Sequence, residues 1–114
     1  MVAQITGKEL KAKLDAGEEI ILVEALPAKY YDTAHLPGAI NIPHDRIDEV
    51  APQMLTNKSA EIVFYCANAA CQNSGIASQR LAELGYTKVR DYYEGKQDWL
   101  DAGLPIESSS TIAS

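Results

Sequence analysis

The chain has 114 residues, 46% of them hydrophobic and 23% charged, enough for one domain with a modest core. Its formal charge of −6 disfavours a nucleic-acid partner, which needs a basic footprint, and no apolar run approaches the ~20 residues of a membrane span. The start, Met1 to Ile5, lacks the basic and then apolar pattern of a secretory signal, so a cytoplasmic location is the default expectation.

Taken in chain order, Thr6-Gly7-Lys8-Glu9 has the form of a capping box, with Thr6 as N-cap and Glu9 three residues on. Leu10 and Leu14 follow at i and i+4, and Gly17 stops the run. The spacing predicts a helix over residues 7–16. Ile20-Ile21-Leu22-Val23 is continuously apolar and predicts a buried strand. Pro27 and the polar residues to Asp32 suggest a helical turn. His35-Leu36-Pro37-Gly38 reads as a turn before a short strand, residues 39–42, that Pro43 ends. Residues 44–54 read as a helix with Ile47 and Val50 inward and Pro52 weakening its end. Residues 57–59 form a loop.

Ile62-Val63-Phe64-Tyr65 is rich in β-branched and aromatic residues and predicts a buried strand ending at Cys66. Beyond the loop Ala67-Asn68-Ala69-Ala70-Cys71-Gln72-Asn73, the pattern turns helical from Ser74, with Ala77, Leu81 and Leu84 on one face. Asn73 or Ser74 is the expected N-cap, and Gly85 ends the helix. Residues 89–93 predict a strand, with one of Tyr92 and Tyr93 buried and the other exposed. Gly95 is a turn and residues 96–102 a last short helix. The domain is expected to span residues 1–106, with a polar, mobile tail over 107–114. Strands alternating with helices predict an α/β fold, a mainly parallel sheet flanked by helices on both faces. Ligands of such sheets gather at the strands' carboxyl ends, where Cys66 lies.

A cysteine at that rim, facing a helix amino terminus, meets outward-pointing backbone N–H groups. They favour the thiolate, moving a thiol pKa from ~8.5 into a range of ~3.5–7.5. Cys66 is therefore the expected nucleophile, although a free cysteine also packs as an inert small hydrophobe. Cys66 and Cys71 share one loop and join no distant segments, so a structural disulfide framework is a poor reading. Cys71 is either a loop residue of no consequence or a resolving thiol that forms an intraloop disulfide. With two cysteines and two distant histidines, His35 and His44, the chain has no recognisable zinc spacing. His35 reads as a hydrogen-bonded structural residue, His44 as a surface residue or helix start, and Trp99 as packing. Tyr30 and Tyr31 are candidates for the mouth of the site.

These motifs resemble the rhodanese family of sulfurtransferases over nearly the whole chain. Leu22-Val23-Glu24 resembles that family's first strand, and His35 to Pro43 its turn motif H-[IL]-P-G-A-x-N-[IL]-P. Tyr65-Cys66 resembles the end of its catalytic strand. Leu84-Gly85-Tyr86, Glu94-Gly95, Trp99 and Ala102-Gly103-Leu104-Pro105 are similar to its later segments. The resemblance implies a persulfide on Cys66, no cofactor and no metal, and a small sulfur compound or a protein persulfide as donor or acceptor. The anionic persulfide would lie against the loop of Ala67, Asn68, Ala69, Ala70, Gln72, Asn73 and Ser74. Three departures stand out. Glu24-Ala25-Leu26 replaces the family's Asp-Val-Arg, Gly95-Lys96 replaces its frequent Gly-Gly, and the loop after Cys66 lacks the usual basic residue. Without a loop arginine a phosphatase is disfavoured. The rival expectations are a regulatory or binding module that keeps the fold without turnover, and a thiol redox sensor using Cys66 and Cys71.

Overall fold

A computed structural model describes residues 2–108. Five strands form one parallel sheet: β1 (Ala3–Gln4), β2 (Ile20–Glu24), β3 (Ile40–Asn41), β4 (Glu61–Tyr65) and β5 (Lys88–Tyr92), in the spatial order β1-β5-β4-β2-β3. The helices are α1 (Gly7–Asp15), α2 (Ala28–Thr33), α3 (Ile47–Met54), α4 (Asn73–Glu83) and α5 (Gly95–Asp101). The fold is α/β, as expected.

Period-two alternation in β2 and β4 divides the core into two layers. Val23, Ile62 and Phe64 pack with Ile47 and Ala51 of α3 and Ala77 and Leu81 of α4. Leu22, Val63 and Tyr65 face the other way, onto Leu10 of α1 and Trp99 of α5. Burying each Val, Leu, Ile or Phe side chain among them contributes roughly 1.5–3 kcal/mol. Both central strands are therefore covered on two faces, which explains their unbroken apolar runs. The capping box forms as read: the Glu9 N–H donates to Thr6 Oγ1 at 3.1 Å and the Thr6 N–H to Glu9 Oε1 at 2.9 Å.

Several details differ from the sequence reading. The strand β1 carries no apolar alternation, and both its residues are exposed; it exists by pairing with β5. Residues His44–Arg46 form a 3₁₀ turn before α3, and Pro52 lies within α3, near its end. The tail expected to be mobile from residue 107 begins with two bonded residues. Glu107 exchanges backbone hydrogen bonds with His35, each at 2.8 Å, and the Ser108 hydroxyl donates to the Asp32 carbonyl at 3.0 Å. The remainder of that tail, residues 109–114, lies outside the described residues.

At the carboxyl end of β2, Glu24 is fully buried. Its carboxylate accepts from the Tyr65 hydroxyl at 2.9 Å and from Lys96 Nζ at 3.1 Å. The same ammonium donates to the carbonyls of Tyr30 and Ala34. The Tyr65 oxygen in turn accepts the Leu36 N–H at 3.1 Å. This cluster ties β2, β4, α2 and α5 together beneath Cys66.

Burial pushes the Glu24 carboxyl above its ordinary range, and Lys96 and Tyr65 pull it back down. A carboxyl raised on folding contributes stability that is present at low pH and lost as pH rises through the folded pKa. Lys96→Met removes the cation and leaves a buried acid. Urea unfolding at neutral pH should show a loss of about 3–5 kcal/mol. That loss should shrink below pH 4.5, the ordinary value for the group. An equal loss at acid and neutral pH would show that Lys96 acts by packing alone.

Candidate active site

Cys66 follows the last residue of β4 and is 1% exposed. The chain then turns through a loop into α4, whose N-cap is Gln72, one residue ahead of the expected Asn73 or Ser74. Gln72 makes no side-chain cap hydrogen bond. Asn68 organises the loop instead. Its Oδ1 accepts the N–H groups of Ala70 at 3.0 Å and Cys71 at 3.2 Å, and its carbonyl accepts the Cys71 N–H at 3.1 Å. An asparagine that caps its own following backbone is a turn former. The N–H groups of Ala70 and Cys71 are thereby turned onto Asn68. Ala67 uses its carbonyl to accept from Gln97, and Asn68, Ala69, Ala70 and Gln72 are exposed. Asn73, Ser74 and Gly75 open the helix, where backbone N–H groups have no acceptor within the helix.

The bend brings the Cys66 and Cys71 Cα atoms to 6.3 Å, and their sulfurs are bonded as a disulfide. That separation lies within the usual range of ~4.4–6.8 Å. The bond closes only the loop itself, so it is local and staples no distant segments. A sulfur held in this bond carries no free thiolate.

The loop is gripped from below by α5. The Lys96 N–H donates to the Cys66 carbonyl and the Gln97 N–H to the Ala67 carbonyl, both at 2.8 Å. Gly95 makes this approach possible. Its φ is +73°, and a Cβ there would fall 2.7 Å from the Cys66 oxygen and 2.9 Å from the Asn68 nitrogen. The sequence alone places Gly95 at a turn and does not reveal the contact.

The charges around the loop are mostly engaged elsewhere. Arg80 is held by Asp48 at 2.6 Å and by Glu83 at 3.1 Å. Arg90 pairs at 2.9 Å with Glu61, at the amino end of β4 and therefore away from Cys66. Lys96 neutralises Glu24. An acid that sequence reading misses, Asp91, reaches the first turn of α4. Burial raises its pKa and a hydrogen bond with the Ser74 side chain lowers it. A Cβ on Gly75 would lie 3.5 Å from Asp91 Oδ2.

The remaining candidates sit at the periphery. His35 is buried; its Nδ1 lies 2.8 Å from the Tyr31 carbonyl and its ring stacks on Tyr31 at 3.9 Å. It is a structural residue. His44 starts the 3₁₀ turn and Tyr30 is exposed. Tyr92 is buried and Tyr93 half-buried, while Trp99 packs in the core and donates to the Pro105 carbonyl at 2.7 Å. Among the described residues no cluster of His, Cys, Asp or Glu is placed to hold a metal, and no helix is long and apolar enough to cross a membrane.

The family model for the Rhodanese-like domain matches residues 6–102. The chain belongs to the rhodanese-like domain family. It is 32% identical over 108 residues to the HTH-type transcriptional regulator Rv0324 of Mycobacterium tuberculosis, covering 95% of this chain and 46% of that protein. It is 29% identical over 112 residues to the adenylyltransferase and sulfurtransferase MOCS3-1 of Zea mays, covering 91% of this chain and 24% of that protein. The crystal structure of BH2092 from Bacillus halodurans superposes with a TM-score of 0.86 at 29% identity, covering 94% of this chain and 77% of that one. The chain thus spans about half or less of these curated relatives. The strand–Cys–loop–helix unit runs through β4, Cys66 and α4, and the Gly95-Lys96 pair closes it from below. The first of the two is demanded by the Cys66 loop, and the second contributes the buried ammonium.

Gly95→Ala should destabilise the fold by about 1–3 kcal/mol from the backbone conformation alone, with the overlap on Cys66 and Asn68 adding to it. Gly103 has the same φ of +73°, but a Cβ there would meet nothing within 4 Å, so Gly103→Ala isolates the conformational part. Urea unfolding should show the larger loss for Gly95→Ala; equal losses would mean that the loop yields to the methyl group.

Proposed function

We infer that the reduced protein transfers sulfane sulfur through a persulfide on Cys66. The Cys66 thiolate attacks the sulfane sulfur of a donor, and the donor's remainder leaves: sulfite from thiosulfate, or a thiolate from an organic persulfide. An acceptor nucleophile then takes the outer sulfur and restores the thiolate. Cys66 at the carboxyl end of β4, ahead of the amino terminus of an 11-residue helix, is the observation that carries this reading. The sulfurtransferase among the relatives adds to it.

The donor is better matched by a persulfide, small or protein-borne, than by free thiosulfate. A cation about 4 Å from a thiosulfate oxygen would contribute on the order of 4 kcal/mol at an effective dielectric of about 20. The residues from Ala67 to Ser74 include no cation, and Asp91 adds a carboxyl at the helix end. A second reading, a sensing module read out by a partner domain, is favoured by the regulator among the relatives and by the bonded cysteines. A location in the cytoplasm suits a thiol chemistry that needs reducing conditions.

Mass spectrometry after incubation with a sulfane donor tests the proposal. Reduced Cys71→Ser protein, which has no second thiol in the loop, should gain one sulfur on Cys66, faster from an organic persulfide than from thiosulfate, and yield thiocyanate with cyanide. Cys66→Ser should fall to the uncatalysed background. Equal thiocyanate formation by the two proteins would leave only the sensing module.

A further inference from the structure

The two bonded sulfurs differ in access. Cys66 is sealed at 1% exposure, whereas Cys71 is half-buried and lines an open groove of about 510 Å³ together with Gln72, Gly75, Ile76, Asp91 and Tyr93. The bond also shows that the Asn68 turn, on the loop that α5 holds from below, brings Cys71 onto Cys66.

We propose that Cys71 discharges the Cys66 persulfide as hydrosulfide, and that a thiol reductant entering this groove then reopens the disulfide by attack at Cys71. The inference rests on the persulfide reading above and adds a second route by which the persulfide is discharged, its product and the class of reductant. In the first step the Cys71 thiol, losing its proton, attacks the inner sulfur of the Cys66 persulfide. The Cys66–Cys71 bond forms, the sulfur–sulfur bond of the persulfide breaks, and hydrosulfide leaves carrying the electron pair and the proton. The sulfane sulfur is reduced and the two cysteines are oxidised. In the second step an external thiolate attacks the Cys71 sulfur and the Cys66 thiolate leaves. A second external thiolate attacks that mixed disulfide, releasing Cys71 as thiolate and the reductant as its own disulfide.

The direction of opening follows from access and from leaving-group chemistry. Exchange requires the attacking thiolate to approach in line with the bond, and it proceeds faster when the departing thiol is the more acidic. The groove gives that approach to Cys71. Departure from Cys71 leaves Cys66 as the thiolate, at the carboxyl end of β4 where the chain turns into α4. The groove is lined by amides, a carboxyl and apolar side chains, which suits a thiol without a strong negative charge.

Two measurements decide the proposal. Reduced protein is loaded with a sulfane donor, freed of donor, and assayed for retained sulfur and released hydrosulfide without added thiol. Wild type should release about one equivalent of hydrosulfide and lose both free thiols, while Cys71→Ser should keep its persulfide. Cys71→Ala gives the same comparison if serine disturbs the loop. Wild type holding its persulfide as long as both variants would overturn the discharge step. Failure of every protein to load would instead refute the persulfide reading on which the step depends. Oxidised protein is then treated briefly with 2-mercaptoethanol, quenched by alkylation and mapped by fragmentation. The thiol adduct should lie on Cys71 and the alkyl group on Cys66; the reverse pattern would overturn the proposed entry route.

Discussion

Lys96 holds the site from two sides. Its backbone N–H binds the carbonyl of Cys66, and its ammonium sits against the fully buried Glu24. A buried carboxylate alone is costly, and a buried pair is tolerated only when further hydrogen bonds satisfy both partners. Here Tyr65 completes the carboxylate, and the carbonyls of Tyr30 and Ala34 complete the ammonium. Tyr65 is also the residue before Cys66, so the network fixes the cysteine's position through both its chain neighbour and its own carbonyl. Gly95 lets the start of α5 come close enough for this to happen.

Above that rigid floor lies a loop of a different character. It is small, neutral and largely exposed, and Asn68 shapes it through three contacts. A loop built to grip a dianion would turn its amides inward and supply a cation. This one commits two amides to a turn that presents Cys71 to Cys66. The arrangement favours exchange between sulfurs over capture of a highly charged ligand.

Much of this is legible in the residues. The apolar run 62–65 is buried on both faces, and strands with that burial announce themselves without alternation. The capping box of Thr6 and Glu9 is a local device, so a local pattern reveals it. What escapes reading depends on contacts distant in sequence. Gly95 reads as a turn until the Cys66 carbonyl is seen against it, and Lys96 reads as the start of a short helix until its ammonium is found against Glu24, a polar end to an apolar strand. The short strand β1 has no pattern of its own and takes its form from β5. Asn73 and Ser74 are both good N-cap types, yet the helix starts one residue earlier, at Asn73, and the Ser74 side chain bonds Asp91 on a neighbouring strand. Cys71 is readable only as a loop residue or a resolving thiol, and the turn that sets it beside Cys66 requires the fold.

The account depends on Cys66 being an acidic thiol once the disulfide is opened. Alkylation of reduced Cys71→Ser protein by iodoacetamide, followed across pH, measures this directly, because only the thiolate reacts. The midpoint should fall below the ordinary thiol value of ~8.5. A midpoint at or above that value would mean that the start of α4 gives the sulfur no useful stabilisation, and the catalytic reading of Cys66 would be wrong.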